Sequence, residues 1–251
     1  MTAASPIVLF CDFGMPYTGQ MKGRLAQELG CAMAAHPTID LFHDVPAQDV
    51  QAGSVLLAAH AADFPEDSVF VCVVDPGVGT DQRRPGAVKA GGRWFVGPLN
   101  GLFEHVLRRW SGEVFEITWC PPNLSSTFHG RDLFSPVAAR IALGRGAEVL
   151  SPMNGDKVCR ADFDDDIARV IYIDNFGNMV TGIRWNSLTK DQTIEVAGVP
   201  LVRANTFGDV ESGQLFIYEN AVGLLEIAAN GANAQKLTGI CLNSSIKIIK
   251  V

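Results

Sequence analysis

Short apolar segments alternate with amphipathic ones along the first two-thirds of the chain. Apolar runs rich in β-branched residues predict buried strands at 6–11, 39–42, 68–74 and 114–118. Apolar residues at helical spacing predict helices at 18–35, 48–62, 101–110 and 131–143. The segment 87–96 predicts a hairpin that turns at Gly91-Gly92. This alternation predicts a layered α/β domain with a largely parallel sheet over residues 1–155.

The pattern changes after residue 150. Residues 156–166 are polar and acidic, and we expect them to form a linker. Turn residues then separate short strand-like segments at 169–173, 180–183, 193–196, 214–218, 224–228 and 245–250. We therefore predict a small antiparallel, β-barrel-like domain over residues 167–251, with no helix between its strands.

Composition narrows the possible partners. The 251 residues are 47% hydrophobic with a net charge of −7, which indicates a folded domain rather than a disordered chain. No segment approaches the roughly 18 consecutive apolar residues of a membrane span, and the N-terminus does not resemble a signal peptide. With 27 acidic against 20 basic residues, a nucleic-acid or anionic-membrane partner is not expected. We expect a cytoplasmic protein.

Familiar cofactor motifs are missing from the sequence. There is no G-x-x-x-x-G-K-[ST], no complete dinucleotide fingerprint and no H-E-x-x-H. The six cysteines are scattered, without a C-x-x-C pair. We therefore expect neither a cofactor nor a metal site.

Three polar clusters follow predicted strands or precede predicted helices, where ligands bind in α/β sheets. They are Asp12-Phe13-Gly14, 75–80 (DPGVGT) and 127–132 (TFHGRD). Asp12 suits a turn or helix cap as well as it suits a ligand contact. For Asp75 a functional role is favoured over a turn, because Pro76 and two glycines surround it. His129 fits the rim of a site better than a packed core.

The C-terminal segment offers a weaker signal. Asp174 and Asn178 could bind a ligand or simply build a turn in which Gly177 takes a positive φ. The segments 218–220 (YEN) and 230–234 (NGANA) combine an aromatic ring with amides and glycine, which suit a flat purine. Composition alone favours a turn there.

Taken in order, these clusters resemble one family across nearly the whole chain: the S-adenosyl-L-methionine (SAM) hydrolases (adenosine-forming), or SAM hydroxide adenosyltransferases, related to fluorinase and chlorinase. The resemblance rests on eight groups of segments in register: 12–14 with 19–23, 43–49, 73–80, 95–98, 100–102, 127–132, 176–178 and 225–228. It implies a homotrimer with SAM bound at subunit interfaces, between the N-terminal domain of one subunit and the C-terminal domain of its neighbour.

The resemblance also assigns residues. It implies that Asp75, Arg83 and His129 activate water, and that Asp12 binds the ribose hydroxyls. The further substrate-binding residues that it implies are Gln48, Val78, Thr127, Phe128, Asp174, Phe176, Asn178, Asn230 and Gly231. The chain departs from the family pattern at Met15-Pro16, Leu99 and Val222, and an extra residue before the arginine pair leaves Arg84 and Gln82 as alternatives to Arg83.

The chemistry implied is attack of water on ribose C5′ of SAM without a metal, giving adenosine and L-methionine. Neutral methionine leaves from a sulfonium, so the difficult part is activating water. We expect Asp75 and Arg83 to orient the water and His129 to accept its proton. A carboxylate in the pocket disfavours a halide nucleophile, and so a SAM-dependent halogenase. The sequence is also compatible with a non-catalytic SAM- or adenosine-binding protein, or with a purely structural protein.

Overall fold

The computed structural model describes residues 5–81, 83–155, 158, 160 and 162–250. The chain divides into two compact units, Met1–Phe163 and Asp164–Val251. Gln82 and residues 156, 157, 159 and 161 of the predicted linker lie outside the described residues.

The first unit is built on a seven-stranded sheet in the order β2-β1-β3-β5-β4-β6-β7. Its strands are β1 Ile7–Cys11, β2 Thr38–Phe42, β3 Val69–Val73, β4 Pro85–Ala90, β5 Arg93–Pro98, β6 Gly112–Ile117 and β7 Leu150–Met153. The pairs β1–β2, β1–β3 and β3–β5 are parallel, whereas β4, β6 and β7 pair antiparallel. The parallel strands β1 and β3 are buried along their whole length, which explains why both are continuous apolar runs.

The antiparallel half of this sheet begins at the predicted hairpin. β4 and β5 are joined at Gly91 and Gly92, whose φ values of +54° and +75° favour glycine. β7 forms the edge beside β6, and the apolar periodicity of the sequence did not predict it.

Two pairs of helices pack in this unit, α1 with α4 and α2 with α3. Their bounds are α1 Tyr17–Leu29, α2 Val50–His60, α3 Glu104–Trp110 and α4 Ser135–Ala142. The helix predicted over 18–35 is α-helical only to Leu29, and continues from Gly30 as a 3₁₀ helix. The helix predicted over 131–143 begins with a π-helical turn, Gly130–Phe134. Pro136 lies at the start of α4, directly after this π-helical turn.

The second unit contains two sheets. A five-stranded sheet has the order β12-β13-β14-β9-β8, and a three-stranded sheet has the order β11-β10-β15. The strands are β8 Ile167–Ile173, β9 Met179–Arg184, β10 Gln192–Val196, β11 Val199–Pro200, β12 Val202–Arg203, β13 Leu215–Glu219, β14 Leu224–Ala229 and β15 Lys247–Lys250. All pairs are antiparallel except β12 with β13.

One helix does interrupt these strands, so the expectation of none was wrong. α5 spans Ala234–Thr238, with the Asn233 side chain accepting from the Lys236 N–H and Gly239 in the left-handed conformation at its end. Five residues are too short for apolar periodicity to reveal, but the two caps are visible in the sequence.

The boundary between the units falls inside the predicted linker, and part of that linker belongs to the first unit. The Arg160 N–H donates to the Glu104 carboxylate at 2.7 Å, and Arg108 donates to the Phe163 carbonyl at 2.8 Å. These bonds hold Arg160 and Phe163 against α3. Among the described residues, no helix has the length and apolar character needed to cross a membrane.

Candidate active site

Two neighbouring parallel strands bring two aspartates of the site, Asp12 and Asp75, to the same edge of the sheet. Asp12 follows β1 directly, and Asp75 follows β3 by two residues. Because β1 and β3 pair in parallel, their carboxyl ends meet at the same edge of the sheet. The turn after β3 is closed by the Val78 N–H, which donates to the Asp75 carbonyl at 3.2 Å. This placement follows from the strand assignment and the topology alone.

Arg83 joins Asp75 to His129. Its Nε and Nη2 donate to the two carboxylate oxygens of Asp75 at 2.9 and 2.5 Å, and Nη2 also contacts His129 Nδ1 at 2.8 Å. The Asp75 and Arg83 side chains are only 3% and 4% exposed. The guanidinium also lies over the Phe134 ring, 5.6 Å from its centroid. The three residues therefore form one connected group, in which the Asp75–Arg83 pair is nearly buried and His129 is half-buried.

The alternative arginine lies elsewhere. Arg84 is exposed and pairs with Glu116 on β6, at 3.8 Å. Arg83, rather than Arg84, is therefore the arginine in contact with Asp75 and His129. Gln82, the third possibility, lies outside the described residues.

The contact with Arg83 fixes the tautomer of His129. A guanidinium has no lone pair to share, so Nδ1 must accept, and the proton of the neutral ring is on Nε2. Burial, and then the positive charge of Arg83, lower the pKa of His129, although the carboxylates of Asp75 and Asp132 oppose this shift. At neutral pH the ring is uncharged, with an N–H donor at Nε2.

Asp12 is held by the segment that precedes α2. Gln48 has a φ of +61°, and its N–H donates to Asp12 Oδ2 at 2.8 Å. The next residue, Asp49, caps α2 by accepting from the Ala52 N–H at 3.0 Å. Burial raises the pKa of Asp12, and the bond from Gln48 opposes this change. The carboxylate retains lone pairs for a ligand hydroxyl.

These side chains surround a cavity of about 600 Å³. Seven residues predicted to act or bind line it: Asp12, Gln48, Asp75, Val78, Thr127, Phe128 and His129. Arg83 instead lines an adjoining cavity of about 510 Å³, which shares Ala47 and Gln48 with the first. The first cavity is large enough to bury most of a nucleoside-sized ligand.

Some lining residues were not predicted. Phe13 and Tyr17 pack edge-to-face against Phe128, with ring centroids 5.7 and 5.5 Å from it, and give the cavity an aromatic wall. Gln20 and Arg131 complete part of the rim. Phe13, Gln20 and Arg131 lie within segments that carry the family resemblance, but no periodicity marks them as facing a ligand.

A glycine allows two loops of this site to touch. Gly79 has a φ of +75°, and a Cβ there would lie 2.1 Å from the Ser126 carbonyl oxygen. Only glycine permits this approach between the loop that carries Asp75 and the loop that leads to His129.

The second unit has its own cavity, of about 610 Å³, lined among others by Asp174, Phe176, Asn178 and Gly231. The Asp174 carboxylate accepts from the Phe176 and Asn178 N–H groups at 2.9 and 2.8 Å, so it also builds the turn. Phe176 is 78% exposed. Asn230 does not line this cavity. Its side-chain amide donates to the Val210 carbonyl at 2.8 Å.

Tyr218, from the segment 218–220 that the sequence analysis noted as suited to a purine, also lines this cavity, together with Phe207 and Glu226, which were given no role there. The Tyr218 hydroxyl donates to the Glu226 carboxylate, and Asn220 Nδ2 donates to it at 3.1 Å. Burial raises the pKa of both Glu226 and Tyr218. Tyr218 and Glu226 pair across β13 and β14, so they lie on the same face of the sheet.

Comparison with known proteins gives consistent matches along the chain. Residues 7–151 match the N-terminal domain of SAM hydroxide adenosyltransferases, and residues 168–247 match the C-terminal domain. The chain is 36% identical to an (R)-S-adenosyl-L-methionine hydrolase of Salinispora arenicola, over 98% of each chain. It is 33% identical to the enzyme of that name from Thermus thermophilus, over 97% of this chain and 99% of the relative.

Solved structures share the fold. A conserved protein from Thermotoga maritima superposes with a TM-score of 0.83 at 29% identity, covering 97% of this chain and 100% of that one. A conserved protein from Thermus thermophilus superposes with a TM-score of 0.75 at 30% identity, covering 98% and 100%.

Proposed function

The chain belongs to the SAM hydroxide adenosyltransferase family of enzymes, and we propose that it hydrolyses S-adenosyl-L-methionine to adenosine and L-methionine. The observation that supports this most strongly is the contact of the nearly buried Asp75–Arg83 pair with His129, with Asp75 and His129 on the wall of a nucleoside-sized cavity. A carboxylate, a guanidinium and a neutral imidazole can hold one water molecule without a metal.

The tautomer of His129 changes the roles expected from the sequence. With Nδ1 accepting from Arg83, the neutral ring has no lone pair with which to take a proton from water. We therefore assign proton acceptance to Asp75, whose carboxylate oxygens have lone pairs beyond the two used by Arg83. His129 Nε2–H then donates to the water oxygen and orients it.

The reaction balances with these roles. A bond forms between the water oxygen and ribose C5′ while the C5′–S bond breaks, and its electron pair makes the sulfur of methionine a neutral thioether. One proton of the water passes to Asp75 and then to solvent. Because a sulfonium cation loses its charge in this step, a cavity poor in water favours the transition state. Alignment of the water with the C5′–S bond supplies much of the acceleration.

The ribose and the adenine of the substrate both have candidate partners. Asp12 binds the ribose hydroxyls, and Gln48, Val78, Thr127 and Phe128 surround the sugar. In the second unit, Phe176 and Asn178 bind adenine by stacking and hydrogen bonding, with Asp174 and Gly231 beside them. We extend the family's homotrimer, with sites at subunit interfaces, and a cytoplasmic location to this chain as part of the proposal.

Hydrolysis is favoured over halogenation by the charge beside the water site. The positive charge of Arg83 is already neutralised by Asp75, and the carboxylate would repel a halide. The test is incubation of the purified protein with SAM, in the presence of a chelator, with and without concentrated chloride. We expect adenosine and methionine in both. Intact SAM, or a halogenated nucleoside as the main product, would refute the proposal.

The names of the relatives specify the R configuration at sulfur, and we extend this preference to the present chain. A sulfonium with three different substituents is a stereocentre, so the two epimers place the methyl group differently against the cavity wall. With a mixture of epimers, the R form should be consumed first. Equal consumption of both would remove the preference but leave the hydrolysis intact.

A further inference from the structure

Arg131 lies on the wall of the cavity, two residues after His129 in the chain. Its Nε and Nη2 donate to the Asp132 carboxylate at 2.6 and 2.8 Å, and its Nη1 donates to Gln20 Oε1 at 3.0 Å. The guanidinium lies over the Phe128 ring, 5.2 Å from the centroid. Gln20, Phe128 and Arg131 all line the same cavity. Three neighbours thus fix the orientation of this cation at the site.

Arg131 is a cation on a wall that is otherwise lined by neutral and acidic groups, and its partner Asp132, unlike Asp75, lies outside the cavity lining. Among the described residues that line it, Arg131 is the only cation, since the lowered pKa of His129 leaves that ring neutral. Asp12 and Asp75 carry negative charge on the same wall. A SAM molecule presents a sulfonium, an ammonium and a carboxylate, and the carboxylate is the group that a guanidinium complements.

The guanidinium also has donors to offer. Its partners account for three of its five N–H groups, and one N–H on each terminal nitrogen has no partner among the described residues. The Ser125 N–H donates to the Asp132 carboxylate at 3.1 Å and helps to fix its position. Asp132 does not itself line the cavity, so it orients the guanidinium from outside the lining. A ligand carboxylate can therefore accept from Arg131 while the existing bonds persist.

We propose that Arg131 binds the α-carboxylate of the methionine half of the substrate, an inference that rests on the proposed function. It is a specificity residue rather than a participant in bond cleavage. The enzyme thereby selects a sulfonium that carries an amino-acid group over one that carries only an amine. Charge-assisted hydrogen bonds of this kind give about 10- to 100-fold discrimination.

The experiment compares SAM with its decarboxylated analogue, which keeps the adenosyl group, the sulfonium and the amine. The wild type should have a kcat/KM for SAM about 10- to 100-fold above that for the analogue. In R131M this ratio should fall to about one through a higher KM for SAM, with kcat largely kept. R145M is the matched control, because Arg145 pairs with Glu148 on the surface and should leave the ratio unchanged.

R131K keeps the charge but loses the fork of donors, so it should lie between the wild type and R131M. Thermal unfolding shows whether each variant is folded. If R131M does not fold, R131K is compared with the wild type instead. An unchanged ratio in R131M or R131K, or an equal loss with both substrates, would overturn the inference while SAM hydrolysis stands. Failure of the wild type to cleave either substrate would instead refute the proposed function.

Discussion

Replacement of Asp75 by Asn removes the negative charge from the buried ion pair while preserving shape. The amide oxygen can keep one of the two bonds from Arg83, but the guanidinium remains buried without a neutralising charge. Breaking a buried pair in this way costs about 3–5 kcal/mol in the free energy of unfolding. Because D75N keeps one bond, we expect its loss of stability to be about 3 kcal/mol. For a chain of this size that corresponds to a fall in Tm of about 6–12 °C.

Activity should fall further than stability alone explains, because D75N also removes the proton acceptor that we propose. We expect kcat to drop about 10²- to 10⁴-fold, measured by chromatography of adenosine at a temperature where the variant is folded. The matched control is E148Q, since the Arg145–Glu148 pair has both side chains 53% exposed and should cost less than about 1 kcal/mol. A loss of stability in D75N no greater than in E148Q, or a kcat within about tenfold of wild type, would refute these roles.

Three further predictions concern His129 and Gly79. H129A should bind SAM normally in calorimetry but lose about 10²-fold in kcat. H129Q should keep more activity, because its side-chain amide can still donate a hydrogen bond. An equal loss of kcat in both variants would contradict a donor role for His129. Since the folded-state pKa of His129 is lowered, its neutral ring contributes stability that is present above about pH 6.5 and is lost as the pH falls below it. A proton on Nδ1 would face the Arg83 guanidinium and break their contact, so kcat should fall more steeply at acid pH in the wild type than in H129Q. G79A should separate the two loops of the site, because its Cβ would lie 2.1 Å from the Ser126 oxygen, and lower both Tm and kcat; wild-type values would show that the loops adjust.

The positions of several site residues can be predicted from the order of the strands and from the polar residues at the strand ends. Two buried apolar runs, each followed by an aspartate, predict that Asp12 and Asp75 meet at one sheet edge, and β1 and β3 bring them there. Arg83 could not be placed by such reasoning, because its contact depends on a loop with no periodicity. The family resemblance indicated it, with two alternatives, and the described geometry favours it over Arg84.

The features that escaped prediction depend on contacts between distant segments. The antiparallel pairing of β6 and β7 is set by neighbours far apart in sequence, and β7 has only four residues. α5 is too short for helical periodicity to show. The tautomer of His129 depends on a single side-chain contact with Arg83, and this contact is the reason that we propose Asp75 rather than His129 as the proton acceptor.

The central claim is that solvent oxygen attacks the ribose carbon beside the sulfonium. The most direct measurement is hydrolysis of SAM in water enriched in ¹⁸O, followed by mass spectrometry of both products. We predict one heavy oxygen at the 5′ position of adenosine and none in methionine. Unlabelled adenosine, or label in the amino-acid product, would show that water attacks elsewhere and would contradict the claim.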